Sequence, residues 1–174
     1  IGISQHAAHW SWTLDAYETR IDDLISYDAA RFQPNNIDKA RIRGVEFTVD
    51  TTLAGWDFGA QLSHTDPRSE SGSNDGKLLA RRARQHASFG ADTRVAGWTL
   101  GGEAQVSGQR YDYVTNKTRL GGYTLLNLYA STRLARDYQI LARLDNLADK
   151  NYTLANGYAT PGRTLYVGVK WAPQ

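Results

Sequence analysis

The chain is expected to be an all-β, antiparallel segment of a transmembrane barrel, on three observations. Strand-like stretches turn tightly just before an aromatic at His9-Trp10, Gly55-Trp56, Gly97-Trp98 and Asp137-Tyr138, and Trp171 lies near the far end. These short turns alternate with long polar connections near 28–36, 66–77, 112–120 and 149–162. Between them, one parity of each stretch carries no charge. Short turns and an aromatic girdle on one rim, with long loops on the other, characterise barrels that cross a bilayer.

Nine strands are expected, at 2–8, 10–27, 37–53, 56–66, 79–96, 98–112, 122–134, 138–147 and 163–171. The uncharged parity runs through Trp10, Trp12, Leu14 and Ala16, then Val45, Phe47 and Val49, then Trp56, Phe58, Ala60 and Leu62, then Ala87, Phe89 and Ala91. It continues with Trp98, Leu100, Gly102, Ala104 and Val106, with Leu126, Leu128 and Ala130, with Ile140, Ala142 and Leu144, and with Leu165, Val167, Val169 and Trp171. An Arg or Lys at mid-bilayer on a lipid-facing strand position costs about 2–4 kcal/mol, so lipid would enforce such sorting. A soluble β-sandwich also alternates. Two features weigh against it: the polar parity is rich in charges of both signs, and the stretches exceed the usual strand of about 5–6 residues.

Composition hides this architecture. The chain is 41% hydrophobic with a mean hydropathy of −0.54, and no apolar run approaches the roughly 20 residues of a spanning helix. A barrel strand shows lipid only alternate residues, which halves the signal. Twenty basic and eighteen acidic residues leave a net charge of +2, and they are scattered, which argues against a nucleic-acid partner. The absence of cysteine removes disulfides and thiolate chemistry. His6, His9, His64 and His86 lie on separate strands, so no metal-ligand spacing appears. No cofactor motif and no Ser-His-Asp arrangement is present, so no enzyme activity is expected. The chain opens at Ile1-Gly2-Ile3-Ser4 as though within a strand, and the expectation is a piece of a larger barrel, since an open sheet edge in lipid leaves backbone groups unpaired.

Three motifs carry a family resemblance. Ala40-Arg41-Ile42-Arg43-Gly44-Val45-Glu46, Asn146-Leu147-Ala148-Asp149-Lys150-Asn151-Tyr152, and Gly162-Arg163 followed by the strand Leu165–Trp171 lie in order along the chain. Together they resemble the C-terminal barrel of TonB-dependent outer-membrane receptors. The resemblance implies that 1–174 is part of a 22-stranded barrel closed by an N-terminal plug, with the plug and the TonB-contacting box outside this sequence. It further implies the outer membrane of a Gram-negative bacterium, with outer-membrane lipid, lipopolysaccharide, the plug and the TonB complex as partners, and a large external ligand. Within the family, Asp23–Asp28, Lys39–Glu46, Leu78–Gln85 and Gly108–Asp112 are most similar to the cobalamin-receptor branch. Siderophore and haem receptors are the first alternative. A passive porin-like pore and a soluble β-sandwich binding module are the others.

The resemblance also implies ligand-binding residues. The first arginine of the branch's Leu-Leu-x-Arg-Arg-Ala pattern falls on Arg81, with Arg82 as its neighbour because Ala80 separates Leu79 from Arg81. A tyrosine after the Arg-Tyr-Asp pattern falls on Tyr113, with Tyr111 as the second match. An arginine fork and a tyrosine's rigid apolar face with a polar tip both suit a large amphipathic corrinoid. The bland alternative for Arg81 and Arg82 is a solvated strand end or a contact to lipopolysaccharide phosphate. Glu46, Asp50, Arg84, Glu103, Arg143 and Lys170 are expected in lumenal ion pairs.

Overall fold

The computed structural model describes residues 1–28 and 32–173. Among them the strands are β1 (Gly2–His6), β2 (Trp10–Asp28), β3 (Gln33–Leu53), β4 (Trp56–Ser69), β5 (Gln85–Val95), β6 (Trp98–Ser107), β7 (Arg110–Tyr111), β8 (Arg119–Leu120), β9 (Tyr123–Ala135), β10 (Tyr138–Asp145) and β11 (Thr164–Trp171). Nine form one antiparallel sheet in the order β1-β2-β3-β4-β5-β6-β9-β10-β11, and β7 pairs with β8 separately. Each main strand lies beside its sequence neighbour, the meander of an up-and-down barrel wall.

The tight rim follows from turn chemistry. Ala54-Gly55 and Ala96-Gly97 both take positive φ, at 52° and 80° and at 49° and 81°. That is the mirror-image turn whose twist matches two antiparallel strands, and it closes the ladders at Leu53–Trp56 and Val95–Trp98.

Register turns the alternation into continuous rows. Trp12, Val49, Ala60, Phe89, Ala104 and Leu126 are cross-strand partners in sequence. So are Trp10, Thr51, Phe58, Ala91, Gly102, Leu128, Leu144 and Leu165. No member of either row is charged, and the large apolar members are mostly exposed, Leu128 to 46%. Sheet pairing by one residue more or less would have flipped every strand's faces. The opposite face carries rows such as Asp15, Glu46, Ser63, His86, Ser107 and Tyr123. A lipid face and a wet face are therefore both complete across the sheet.

Two lumenal contacts account for the Gly-x-Glu motif. Tyr17 pairs with Gly44 across β2 and β3, and a Cβ on Gly44 would lie 2.5 Å from the ring's Cζ. The Tyr17 hydroxyl donates to Glu46 Oε1 at 3.1 Å. Glycine makes room for the ring and the glutamate two residues on receives its hydroxyl. Tyr129 repeats the arrangement over Gly101, donating to Asp92 Oδ2 at 3.2 Å.

Several expected boundaries are corrected. The strand expected at 79–96 begins at Gln85, because Arg81 takes φ 57° and donates its amide to Tyr111 O at 2.6 Å. The strand expected at 98–112 ends at Ser107, after which Arg110–Tyr111 pairs with Arg119–Leu120 instead. The strand expected at 138–147 ends at Asp145, where Asn146 turns with φ 51°. Conversely, β2 and β3 stay paired as far as Asp28–Gln33, through polar residues that read as loop. Residues 29–31 of the connection expected at 28–36 lie outside the described residues.

Candidate ligand-facing loop layer

The apolar residues that bury most completely are Ala40, Leu79, Ala83 and Leu120. All lie at the long-loop end, so dry packing among the described residues is concentrated there. Three connections build this layer: 70–84, 108–122 and 146–163.

The first connection folds back on its own strand. Ser69 N donates to Lys77 O and Leu79 N to Pro67 O, each at 2.9 Å, which prolongs the sheet beside β4 before residues 80–83 bulge away. The second docks against that bulge. Asn116, at φ 57°, presents its amide to Leu78 as a strand would: Leu78 N donates to Asn116 Oδ1 and Asn116 Nδ2 donates to Leu78 O, both at 2.8 Å. Asp112 is 1% exposed and receives Arg81 Nε at 2.8 Å on Oδ1. Its Oδ2 is buried with no hydrogen-bond partner among the described residues.

Arg110 ties the second connection to the third. Its guanidinium is buried, lies 5.1 Å from the Tyr123 ring centroid and donates to Ser107 Oγ at 3.5 Å and Thr153 O at 3.4 Å. Tyr152 packs on the other ring with centroids 4.5 Å apart. A cation over an aromatic face is favoured when desolvated, which suits an arginine that has no carboxylate partner among the described residues.

The Asn-Leu-x-Asp-Lys-x-Tyr motif acquires a physical reading here. Asn146 N donates to Asn127 Oδ1 at 2.9 Å, Lys150 N donates to Asn146 Oδ1 at 2.8 Å, and Asn146 Nδ2 donates to Lys150 O at 3.0 Å and Pro161 O at 3.5 Å. Asp149 Oδ1 receives Arg163 N at 2.8 Å. Asn146 closes the start of the loop, Asp149 closes its end, and Tyr152 supplies the stacking ring.

Of the expected site residues, Arg81 and Tyr111 are brought together by the Arg81 N–Tyr111 O bond, and Arg82 sits exposed beside them. Tyr113 is half-buried one residue past Asp112, with its carbonyl accepting from Asn116 N at 3.0 Å. Sequence reading missed Asp112, Asn116 and Arg110 as organising residues. Asn116 had the weakest signal, a lone asparagine in a polar loop; Arg110 and Asp112 were visible only as flanks of Tyr111. Among the described residues the expected lumenal ion pairs are found in part. Arg143 bridges Asp145 at 2.9 Å, while Arg84 contacts Asp66 at 3.3 Å rather than a lumenal carboxylate, and Glu46 is engaged by Tyr17.

Beyond the lipid-facing rows, β2–β4 carry a charged tier. Glu18 bridges Arg43 at 2.6 Å and Arg20 at 2.8 Å, Arg41 bridges Glu70 at 2.9 Å, and Asp66 bridges Arg68 at 2.7 Å. Asp66 also faces Arg84 at 3.3 Å, so two guanidiniums share its carboxylate.

On the wet face a groove of about 270 Å³ is lined by Gln61, Ser63, His86, Ser88, Glu103 and Gln105, with Ser107 and Tyr123 above. Polar side chains dominate its lining and Glu103 is the charged one, as suits a water-filled passage. A larger apolar groove along Trp56, Phe58, Phe89 and Leu126 belongs to the lipid-facing rows.

Comparison with known proteins converges on this architecture. The family described as "TonB dependent receptor-like, beta-barrel" matches residues 1–147. The chain belongs to this family. Its members are transport receptors rather than enzymes. The chain is 30% identical over 166 residues to the Vitamin B12 transporter BtuB of Vibrio cholerae serotype O1, covering 91% of this chain and 26% of that one. It superposes on the copper transporter OprC with a TM-score of 0.79 at 25% identity, covering 98% of this chain and 30% of OprC. The ferric preacinetobactin receptor BauA of Acinetobacter baumannii shares the fold with a TM-score of 0.76 at 24% identity, covering 98% of this chain and 28% of BauA. The receptor chain thus spans about a quarter of the length of the curated relatives it matches, and the expectation of an all-β barrel segment of a TonB-dependent receptor holds.

Proposed function

We propose that the protein carrying this chain takes up cobalamin across a Gram-negative outer membrane, driven through the TonB complex. The reading is supported above all by the similarity to the Vibrio cholerae Vitamin B12 transporter, which runs through 91% of the chain. The geometry is compatible with it. Arg81, Arg82, Tyr111 and Tyr113 are the proposed ligand contacts, carried by two connections that the Arg81–Asp112 and Asn116–Leu78 bonds hold together. A pre-ordered loop layer loses less conformational freedom when a large ligand docks.

On this reading, the wet face of the sheet surrounds a plug and the lipid-facing rows meet hydrocarbon. The chain's own residues bind and orient ligand and line its path; they break no bond. The test is uptake of radiolabelled cyanocobalamin by a strain without its own cobalamin receptor, expressing the full-length protein that contains this chain. TonB-dependent accumulation is the expected result. Uptake of a ferric siderophore, haem or copper with none of cobalamin would overturn the ligand, and ligand entry that persists without TonB would favour a passive pore.

A further inference from the structure

Two buried groups of opposite charge in the loop layer are incompletely partnered, and they sit two residues apart. Arg110 pairs with Leu120 and Tyr111 with Arg119, and Asp112 N donates to Thr118 O at 2.9 Å, so the β7–β8 ladder runs on through Asp112. Alternation puts Arg110 and Asp112 on one face of that ribbon, about 7 Å apart along the strand. Both are buried, as is Leu120 beside them. Arg110 Nε and Asp112 Oδ2 are each buried without a hydrogen-bond partner among the described residues. One is a donor and the other an acceptor.

Their present partners leave room for exchange. Asp112 is held on Oδ1 by Arg81 Nε at 2.8 Å, and that arginine is half-exposed. Arg110 has the Tyr123 ring and two long hydrogen bonds, at 3.5 Å to Ser107 Oγ and 3.4 Å to Thr153 O. Taking an ion out of water is costly unless an opposite charge and full hydrogen bonding compensate. Arg110 paired with Asp112 gains the opposite charge and fills both orphaned atoms. The Arg81 N–Tyr111 O bond keeps the bulge docked when the Arg81 side chain turns away.

We propose that Arg81 and Arg110 compete for Asp112, and that ligand capture of Arg81 hands the carboxylate to Arg110. In the structure Asp112 holds Arg81, while Arg110 fastens the third connection through Thr153 and the Tyr123–Tyr152 stack. A ligand acceptor that draws the Arg81 guanidinium outward favours the second arrangement, because a ligand shifts such an equilibrium by its differential affinity for the two states. Arg110 then turns to Asp112, and the connection 146–163 loses this tie to 108–122. The switch deepens the reading of Arg81 as a ligand contact and rests on it.

The test is hydrogen exchange of residues 146–163 in the full-length receptor in detergent micelles, with cyanocobalamin as the ligand probe. Arg81→Ala without ligand mimics capture and should speed exchange there about tenfold, within the usual range for coupled sites. Arg81→Ala/Asp112→Asn should return it to the wild-type rate, since a neutral amide does not draw Arg110 away as a carboxylate does. Saturating cyanocobalamin should reproduce the acceleration in wild type, and in Asp112→Asn saturated with the same ligand it should not. Unchanged exchange in Arg81→Ala would overturn the switch. Equal acceleration in the double variant would overturn it too, by showing general loosening of the layer. If Arg81→Ala fails to insert, Arg81→Gln carries the same comparisons. Acceleration in Arg81→Ala with no response of wild type to cyanocobalamin would leave the exchange of partners standing and defeat cobalamin as the ligand that triggers it.

Discussion

Arg81 Nε donates to Asp112 Oδ1 across 2.8 Å, joining the bulge of one long loop to the only fully buried carboxylate of the next among the described residues. The same arginine's amide binds Tyr111 O, so backbone and side chain both fasten it. Half of the guanidinium side chain stays exposed, which leaves its outer edge available to a ligand.

Arg81→Ala is therefore expected to act twice, on ligand affinity and on loop order. Losing one partner of a fully buried pair costs about 3–5 kcal/mol, and the half-exposed arginine reduces this to about 1–2 kcal/mol. Asp112→Asn should loosen the loops without removing any ligand-facing group. Hydrogen exchange of 108–122 measures the order and equilibrium binding measures the contact. If Arg81→Ala and Asp112→Asn weaken cobalamin binding equally, Arg81 serves only to position the loops.

The contrast between what the sequence made legible and what it did not has a physical basis. Alternation, tight Ala-Gly turns and aromatic rims are local patterns imposed by lipid and by backbone twist, so nine strands and their outward faces could be read from the chain. Strand ends could not. Gln33 and Pro34 look like loop because both faces of a strand above the membrane meet water and neither needs apolar residues. Residues 79–84 look like strand until Arg81 leaves the ladder to meet Tyr111, a contact made by a residue thirty positions later. The family motifs were visible as spacing, whereas their causes, Tyr17 over Gly44 and Asn146 bridging its own loop, required cross-strand register.

Gly44→Ala should clash with Tyr17. The added Cβ meets the ring within 2.5 Å, and overpacking of this kind costs about 1–3 kcal/mol. Replacing Tyr17 by Ala in the same chain should recover much of that loss, since the ring is then gone. Urea unfolding of the full-length protein in detergent micelles measures both. Additive losses in the double variant would rule out the contact as the reason for the glycine.

Asn146→Ala removes the side chain that binds Lys150 N, Lys150 O and Pro161 O. Each lost bond is worth about 0.5–1.5 kcal/mol, more where the partner is left buried. The effect should be confined to 146–163, seen as faster hydrogen exchange there with β9 and β10 unchanged. Exchange that rises throughout the sheet would show that the residue supports the barrel rather than the loop.

Leu128 and Gln105 offer the sharpest contrast between the two faces. Leu128 lies in the uncharged row with Gly102 and Leu144, midway along the membrane span, whereas Gln105 belongs to the wet row with Ser88 and Leu125. Leu128→Arg should cost about 2–4 kcal/mol of folding into bilayers, the price of a guanidinium at mid-depth on a lipid face. Gln105→Arg places the same charge into an aqueous lumen and should leave insertion nearly unchanged. Folding yields of the full-length protein into phosphatidylcholine vesicles compare the two directly. Should Gln105→Arg prove the more damaging, the sheet faces hydrocarbon with its polar side, and the assignment of lipid to the Leu128 row is wrong.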